Sequence, residues 1–372
     1  LDLDRLDANT DTLIAELHPG KAYRLVAKSL PSTTLIRHVL ERTGSRRIMR
    51  FHQPFPNLPA REFPASDLLL GKPMPARAAD SFYQQHRGDF DPAMQLQWLV
   101  DSPQRLSEYL ALARGRELRL RINVEIDVGL RRGGVADDDT MARMAEMIAS
   151  NPQQLEFAGL MGYDPHVVHL PSVFGGVDAM QAKAIDRYRA RIAAIRAHRP
   201  ALLEAPEITW NGAGSPNYSL HREQSPLNEV AVGSALVKPS DFDLPTLDAH
   251  QPALFIAAPV LKRIDGTHIP ELERASGMFA AWNPNRQRSH FIYGGRWMAD
   301  PHSPSGLIPN DLYGRSSNQD LLNGSRATAL EVDDHVFLRP TQSEALMLQF
   351  GDLVVVRGGR IVDRWPVFPT LS

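Results

Sequence analysis

Short runs of apolar and β-branched residues alternate with longer stretches of helical periodicity eight times between about Ala22 and Ser234. The predicted strands are Tyr23–Ala27, Arg47–Phe51, Asp67–Leu70, Leu96–Val100, Leu118–Ile126, Phe157–Met161, Glu207–Trp210 and Glu229–Val232. Between them alanine, leucine and charged residues recur at helical spacing over Thr33–Thr43, Pro75–Gln85, Pro103–Arg114, Asp139–Ser150 and Gln181–His198. Strand then helix, repeated in this way, predicts an α/β fold of the (β/α)8 TIM-barrel type. A doubly wound open sheet usually needs fewer units and often carries a Gly-rich nucleotide turn after its first strand, which this chain lacks.

After Asp243 the texture changes to short strands and many prolines, which predicts a smaller β-rich domain following the barrel. The expected division is a barrel over residues 15–243, and a β-rich domain over 244–372 joined by the N-terminal segment 1–14. Leu353–Val356 and Arg360–Val362 flank Gly358-Gly359, a pair suited to positive φ, so a closing hairpin is predicted there. Asp300–Ser325, rich in Ser, Asn, Pro and Gly, reads as a long surface loop.

Bulk composition narrows the function. Lys and Arg total 41 against 43 Asp and Glu, so the net charge of −2 supports neither a nucleic-acid footprint nor a membrane-binding field. No apolar run reaches the length of a membrane span. Cysteine is absent, which excludes disulfides, thiolate nucleophiles and thiolate metal sites. The expected partner is a small molecule. The compartment is left open between the cytoplasm and, if an export signal once preceded Leu1, the periplasm.

Active sites of such barrels lie at the C-terminal ends of the strands. The residues there are Lys28; His52 and Gln53; Lys72; Asp101; Asp127 and Arg132; Tyr163, Asp164 and His166; Asn211–Ser215; and Gly233 with Ser234. Lys28 ends an apolar run, where desolvation would lower an amine's pKa toward Schiff-base chemistry. A lone lysine at a strand end is more often a snorkelling surface residue, so its company matters. Gly212-Ala213-Gly214-Ser215 and Gly233-Ser234 follow strands seven and eight, the loops that most often hold phosphate in this architecture. Tyr163 and His166 suit contact with a cofactor ring or substrate. Pro165 argues against a regular helix presenting His166 and His169 together to a metal.

These segments, in this order, resemble the D-threonine aldolase and D-serine dehydratase branch of the alanine-racemase-like (fold type III) pyridoxal phosphate enzymes. The resemblance runs through Arg24-Leu-Val-Ala-Lys28, Glu125-Ile-Asp-Val-Gly-Leu-Arg-Arg132-Gly-Gly-Val, Phe157-Ala-Gly-Leu-Met-Gly-Tyr163, Gly212-Ala-Gly-Ser215, Glu229-Val-Ala-Val-Gly233-Ser234 and the closing Gly351–Pro366 stretch. It implies pyridoxal 5′-phosphate as cofactor, a homodimer and a small amino-acid substrate, with Lys28 as the amine that carries the cofactor and acts as base. It also implies Arg132, Tyr163 and Gln53 beside the cofactor, and Gly212, Ala213, Gly214, Ser215, Gly233 and Ser234 around its phosphate. The sequence departs from the family where a threonine becomes Ala213 and where a tyrosine becomes Ala235. The family's metal-ligand positions fall on Gln342 and Glu344. A neutral amide is a poor zinc ligand, though amide and carboxylate oxygens could still hold a harder cation.

The expected activity is a lyase reaction, aldol cleavage or dehydration, on a β-hydroxy D-amino acid. An amino-acid racemase and a cofactor-binding protein without catalysis are the alternatives. Gln342 and Glu344 are expected to face the active site and to bind substrate directly in place of a metal.

Overall fold

The computed structural model describes residues 1–51, 61–169, 173, 175–266 and 283–368. Eight parallel strands close into a barrel in sequence order: β1 (Ala22–Val26), β2 (Arg47–Arg50), β3 (Asp67–Leu70), β4 (Leu96–Val100), β5 (Leu120–Glu125), β6 (Leu155–Gly162), β7 (Thr209–Gly212) and β8 (Glu229–Val232). The ring closes by pairing Ala22 with Glu229 and Leu25 with Val232. Helices return the chain between strands, and their starts follow local chemistry. Ser32, Ser102 and Asp137 accept from Leu35, Arg105 and Thr140 backbone N–H groups at the heads of Thr33–Thr43, Pro103–Gly115 and Asp138–Ala149. Gly44, at φ 64°, ends the first of these in the left-handed conformation.

The elements follow the hydrophobic pattern with a few displacements. β7 starts two residues later than predicted and runs to Gly212, because its ladder with β6 extends to the pair Gly162 and Gly212. A Cβ on Gly212 would stand 2.9 Å from the Gly162 carbonyl oxygen, so only glycine lets the two strands meet there. β1 stops at Val26 and gives way to a 3-10 turn, Ala27–Ser29, which carries Lys28. The helix Leu3–Glu16 was not predicted. Asp300–Ser325 is not one continuous loop, since strands cross it at both ends and in the middle. These are β11 (Ala299–Ser303), β12 (Ile308–Pro309) and β13 (Gln319–Gly324). Buried Asn310 donates to Asn323 Oδ1 at 2.7 Å, so side-chain amides hold together strands whose composition reads as loop.

Two units are separable. The barrel unit comprises Asp7–Leu236, Leu244–His250 and the segment from Trp365 onward; the other comprises Leu1–Leu6, Val237–Asp243 and Gln251–Arg364. In the second, β9 (Ile256–Asp265), β10 (Arg288–Tyr293) and β14 (His335–Pro340) join β11–β13 in a six-stranded sheet of order β11-β14-β9-β10-β13-β12. Its core includes Val260, Ile292, Val336 and Leu338. The predicted hairpin is present as β15 (Leu353–Arg357) and β16 (Arg360–Trp365), with Gly358 and Gly359 at φ 56° and 73°.

Inside the barrel, near the N-terminal ends of the strands, a layer of charged residues replaces apolar filling. Arg24, wholly buried, grips Glu229 through Nε and Nη2 at 2.6 and 2.9 Å and reaches Asp67 Oδ1 at 2.6 Å. Gln97 donates to Asp67, and Asn211 donates to Glu229 at 2.7 Å. Burial works against the Arg24 charge, but Asp67 and Glu229 outweigh it and hold the guanidinium above its ordinary pKa. This floor is a paired ionic plug, beneath the end of the barrel where the loops gather.

Candidate active site

Lys28 stands at the mouth on the turn after β1, with Nζ 4.8 Å from the centre of the Phe51 ring. It is exposed, so the desolvation expected of it does not hold: the 3-10 turn lifts the side chain off the end of the apolar strand. The next residue, Ser29, is buried, and its Oγ lies 2.9 Å from Ser234 Oγ. The turn after β1 is thereby tied to the loop after β8, next to the lysine.

The loops after β7 and β8 are tied in turn. Ser215 Oγ accepts from Gly233 N–H at 3.3 Å and Ala235 N–H at 3.0 Å. Gly214 N–H donates to Asn217 Oδ1 at 3.0 Å. Gly233 and Ala235 thus bond across the two loops and Gly214 within its own, while Ser215, which accepts twice, keeps its own hydroxyl proton to donate. Ala213 takes φ 62°, a left-handed conformation seldom adopted by residues with a side chain. Gly214 is required by close approach: a Cβ there would lie 2.7 Å from the Tyr163 ring.

Tyr163 follows β6, and the Arg132 guanidinium sits 4.8 Å from the centre of its ring. Arg132 is exposed and Tyr163 half-buried. His166 opens a single helical turn, His166–His169, directly after Pro165, too short to be a regular helix. His166 is half-buried and His169 exposed. Burial first, with Arg187, pushes the His166 imidazole below its ordinary pKa against the pull of Asp164 and Asp127. Gln53 lies outside the described residues, as does His52.

Glu125 is a residue that sequence reasoning named only within a motif. At the end of β5 it is pushed up to about 7, chiefly by burial and then by the neighbouring Asp101 carboxylate, with Arg132 partly offsetting both. Its alternation in β5 marked it as a strand-end carboxylate, but the approach of Asp101 from β4 is a tertiary fact. The structure gathers Ser29, Ser215, Gly233 and Ser234 by hydrogen bonds, Tyr163 with Arg132 and Gly214 by ring contacts, and Glu125 with Asp101 and Arg132 by charge.

Gln342 and Glu344 belong to the other unit. Gln342 Nε2 donates to Asp241 Oδ2 at 3.0 Å, and Glu344 lies on the short helix Ser343–Met347. Among the described residues no group of three or more His, Cys, Asp and Glu side chains is placed to hold a metal ion. The amide and single carboxylate at Gln342 and Glu344 do not fit a transition metal.

The model of the alanine racemase N-terminal domain matches residues 1–241, more than half of the chain. The chain belongs to that family. Family members are pyridoxal phosphate enzymes of fold type III, and solved structures resemble this chain over nearly its whole length. D-threonine aldolase from Filomicrobium marinum superposes with a TM-score of 0.75 at 18% identity, covering 98% of this chain and 93% of that one. D-threo-3-hydroxyaspartate dehydratase from Delftia sp. HT23 gives 0.72 at 16% identity, covering 99% and 96%. A 3-hydroxy-D-aspartate aldolase from Paracoccus denitrificans (strain Pd 1222) is 29% identical over 143 residues, 38% of this chain and only 35% of that relative. Among the described residues no helix of this alanine racemase family member is long and apolar enough to cross a membrane.

Proposed function

We propose that this protein is a pyridoxal phosphate-dependent lyase that cleaves or dehydrates a β-hydroxy D-amino acid. The observation that carries the reading is the placement of Lys28, one residue from the Ser29–Ser234 bond that ties the turn after β1 to the small-residue loops after β7 and β8. The cradle suits the group in its donors, since Ser215, which accepts from Gly233 and Ala235, keeps a hydroxyl proton to give a phosphate oxygen. Its loops pass so closely that Gly214 and Gly233 admit no Cβ, which would stand 2.7 Å from the Tyr163 ring and 2.6 Å from the Val26 carbonyl oxygen. The names of the similar proteins, aldolases and a dehydratase of β-hydroxy amino acids, support the substrate class.

Bound pyridoxal phosphate would supply an electron sink for the pair left at Cα, whether by loss of Cα–H in dehydration or of the Cα–Cβ bond in aldol cleavage. Lys28 Nζ would hold its carbonyl carbon and serve as the base at Cα. The hydroxyls of Ser215 and Ser234 would hold its phosphate, with the small residues of Gly212–Ser215 and Gly233 letting it approach, and Tyr163 and Arg132 would flank its ring. His166, kept neutral by burial, is suited to accept the β-hydroxyl proton in aldol cleavage, and Glu125, poised near 7, can give or take a proton at the same mouth.

The test is the absorption spectrum of the purified protein with cofactor, borohydride reduction with peptide mapping, and a screen of D- and L-amino acids. A pyridoxyl group on Lys28 with release of aldehyde or keto acid supports the reading. α-Proton exchange without cleavage selects a racemase instead, and a visible chromophore without turnover on any amino acid selects a binding protein. Absence of any chromophore, or labelling of Lys72 in place of Lys28, overturns it.

A further inference from the structure

Beneath the mouth lies a buried polar cluster that the proposed chemistry does not use. His221 Nε2 lies 3.0 Å from Asp164 Oδ2, and its Nδ1 lies 2.9 Å from Ser225 Oγ. A carboxylate only accepts, so Nε2–H donates to Asp164, while Nδ1 shares a hydrogen bond with Ser225 Oγ and the Gln181 amide nitrogen lies 3.3 and 3.1 Å from Nδ1 and Nε2. His221, Asp164 and Ser225 are buried, at 4%, 2% and 7% exposure. Burial opposes the Asp164 charge, but His221 and Asn217 outweigh it and hold its carboxyl below the usual range.

The order hydroxyl, imidazole, carboxylate suggests a nucleophilic triad, and the surroundings argue against one. The cavity beside Asp164, His221 and Ser225 has room for about one water and none for an amino acid. What the cluster does hold is backbone. Asn217, itself wholly buried, accepts from Gly214 N–H through Oδ1 and donates to the Asp164 carbonyl at 3.4 Å through Nδ2. Asp164 follows Tyr163 directly, and the Tyr163 ring packs on Gly214. From Gly214 the connection continues through Ser215 Oγ to Gly233 and Ala235, and through Ser234 to Ser29 beside Lys28. One hydrogen-bonded chain thus laces the segments after β6, β7, β8 and β1, with the His221–Asp164 pair as its buried anchor.

We propose that His221 is a positioning residue: through Asp164 and Asn217 it sets where Tyr163 and the Gly214 loop stand, and thereby how tightly the barrel mouth grips its cofactor. This rests on the pyridoxal phosphate reading, which the wild-type protein tests first, since a wild type that binds no cofactor defeats that reading independently of any variant. Given wild-type binding, His221→Phe is expected to weaken pyridoxal phosphate affinity at least tenfold, about 1.4 kcal/mol, and to alter the near-UV circular dichroism of the bound chromophore. His221→Gln, whose amide can still donate to Asp164, should recover part of both. A merely structural histidine would lower the urea midpoint in both variants while leaving the affinity and spectrum of the folded protein at wild-type values, and that result overturns the proposal. Should His221→Phe fail to fold, hydrogen exchange on the wild type decides. Protection gained on cofactor addition that extends over residues 217–225 supports the coupling, and protection confined to 212–215 and 233–235 refutes it.

Discussion

The barrel handles charge in two ways at its two ends. On the floor, Arg24 is wholly buried, yet its guanidinium donates to the Glu229 and Asp67 carboxylates and to the Ile48 and Asp67 carbonyls, and its charge is reinforced by Asp67 and Glu229. At the mouth, Glu125 is left among Asp101, Arg132 and buried surroundings that do not balance it, and His166 is driven toward its neutral form. The floor matches each buried charge to an opposite one and so gains a defined ring closure; the mouth keeps groups whose protonation is easily changed, the condition chemistry near neutral pH requires. The same strands carry both, since β5 contributes Arg121 and Asn123 near the floor and Glu125 at the mouth.

The contrast predicts that removing a mouth residue costs function and removing a floor residue costs stability. The largest effect is expected at Lys28. Lys28→Ala should abolish covalent cofactor attachment and lower any turnover by roughly 10²–10⁴-fold or more, the range associated with losing a positioned base. Because the side chain is exposed, the urea midpoint of the cofactor-free protein should stay within about 0.5 kcal/mol of wild type. A large loss of stability would erase the distinction between the two ends.

Next in size is the floor. Glu229→Gln leaves Arg24 buried with half its counter-charge, which should destabilise the fold by about 3–5 kcal/mol in urea denaturation. The double variant Arg24→Met with Glu229→Leu should recover part of that loss, because it removes the desolvation of both groups and leaves only Asp67, which Gln97 still bonds. A double variant as unstable as the single one would mean that the ion pair contributes more than charge matching.

A smaller effect is expected from Glu125, whose sign is fixed by the direction of its shift. The folded-state value of about 7 lies above the ordinary 4.5, so between those pH values the folded chain holds a proton that the unfolded chain has released. Its contribution to stability is fully present below about pH 4.5 and is lost as pH rises through 7. The whole window corresponds to at most roughly 3–4 kcal/mol at 1.36 kcal/mol per unit, and partial solvent access reduces this to about 1–2. Glu125→Gln should flatten that slope in a stability-versus-pH series, and an unchanged slope would assign it to other groups.

How much of this was legible beforehand depended on the range of the interaction. The barrel could be read from local periodicity, and so could Lys28, whose run Arg24–Lys28 is contiguous. The helix Leu3–Glu16 escaped because its buried face includes Asn9 and Thr10 between Leu6 and Leu13, so the apolar stripe is broken by residues that pack through hydrogen bonds, Asn9 Nδ2 reaching the Leu236 carbonyl at 2.9 Å. The floor pair Arg24 and Glu229 is separated by 205 residues and the pair Asp164 and His221 by 57, distances at which single-sequence patterns carry no signal. Asp320, Leu321 and Leu322 in β13 were hidden by loop-like neighbours, although all three are buried.

The smallest expected effect concerns the bond between Ser29 and Ser234, which sharpens the comparison because it lies at the mouth yet is as buried as the floor. Deleting one hydroxyl in Ser29→Ala should cost about 0.5–1.5 kcal/mol, the ordinary net worth of a neutral hydrogen bond. Since Ser234 would be left buried without that partner, part of the loss must appear in the cofactor-free protein as reduced stability. If the bond also holds the Lys28 turn against the phosphate loops, the rest appears only when cofactor is bound. A double-mutant cycle with Ser234→Ala separates the two. The coupling energy, measured by denaturation with and without saturating pyridoxal phosphate, should be larger in the loaded protein. Equal coupling in both states would class Ser29 with the floor, as a residue that shapes the barrel without reporting on its contents.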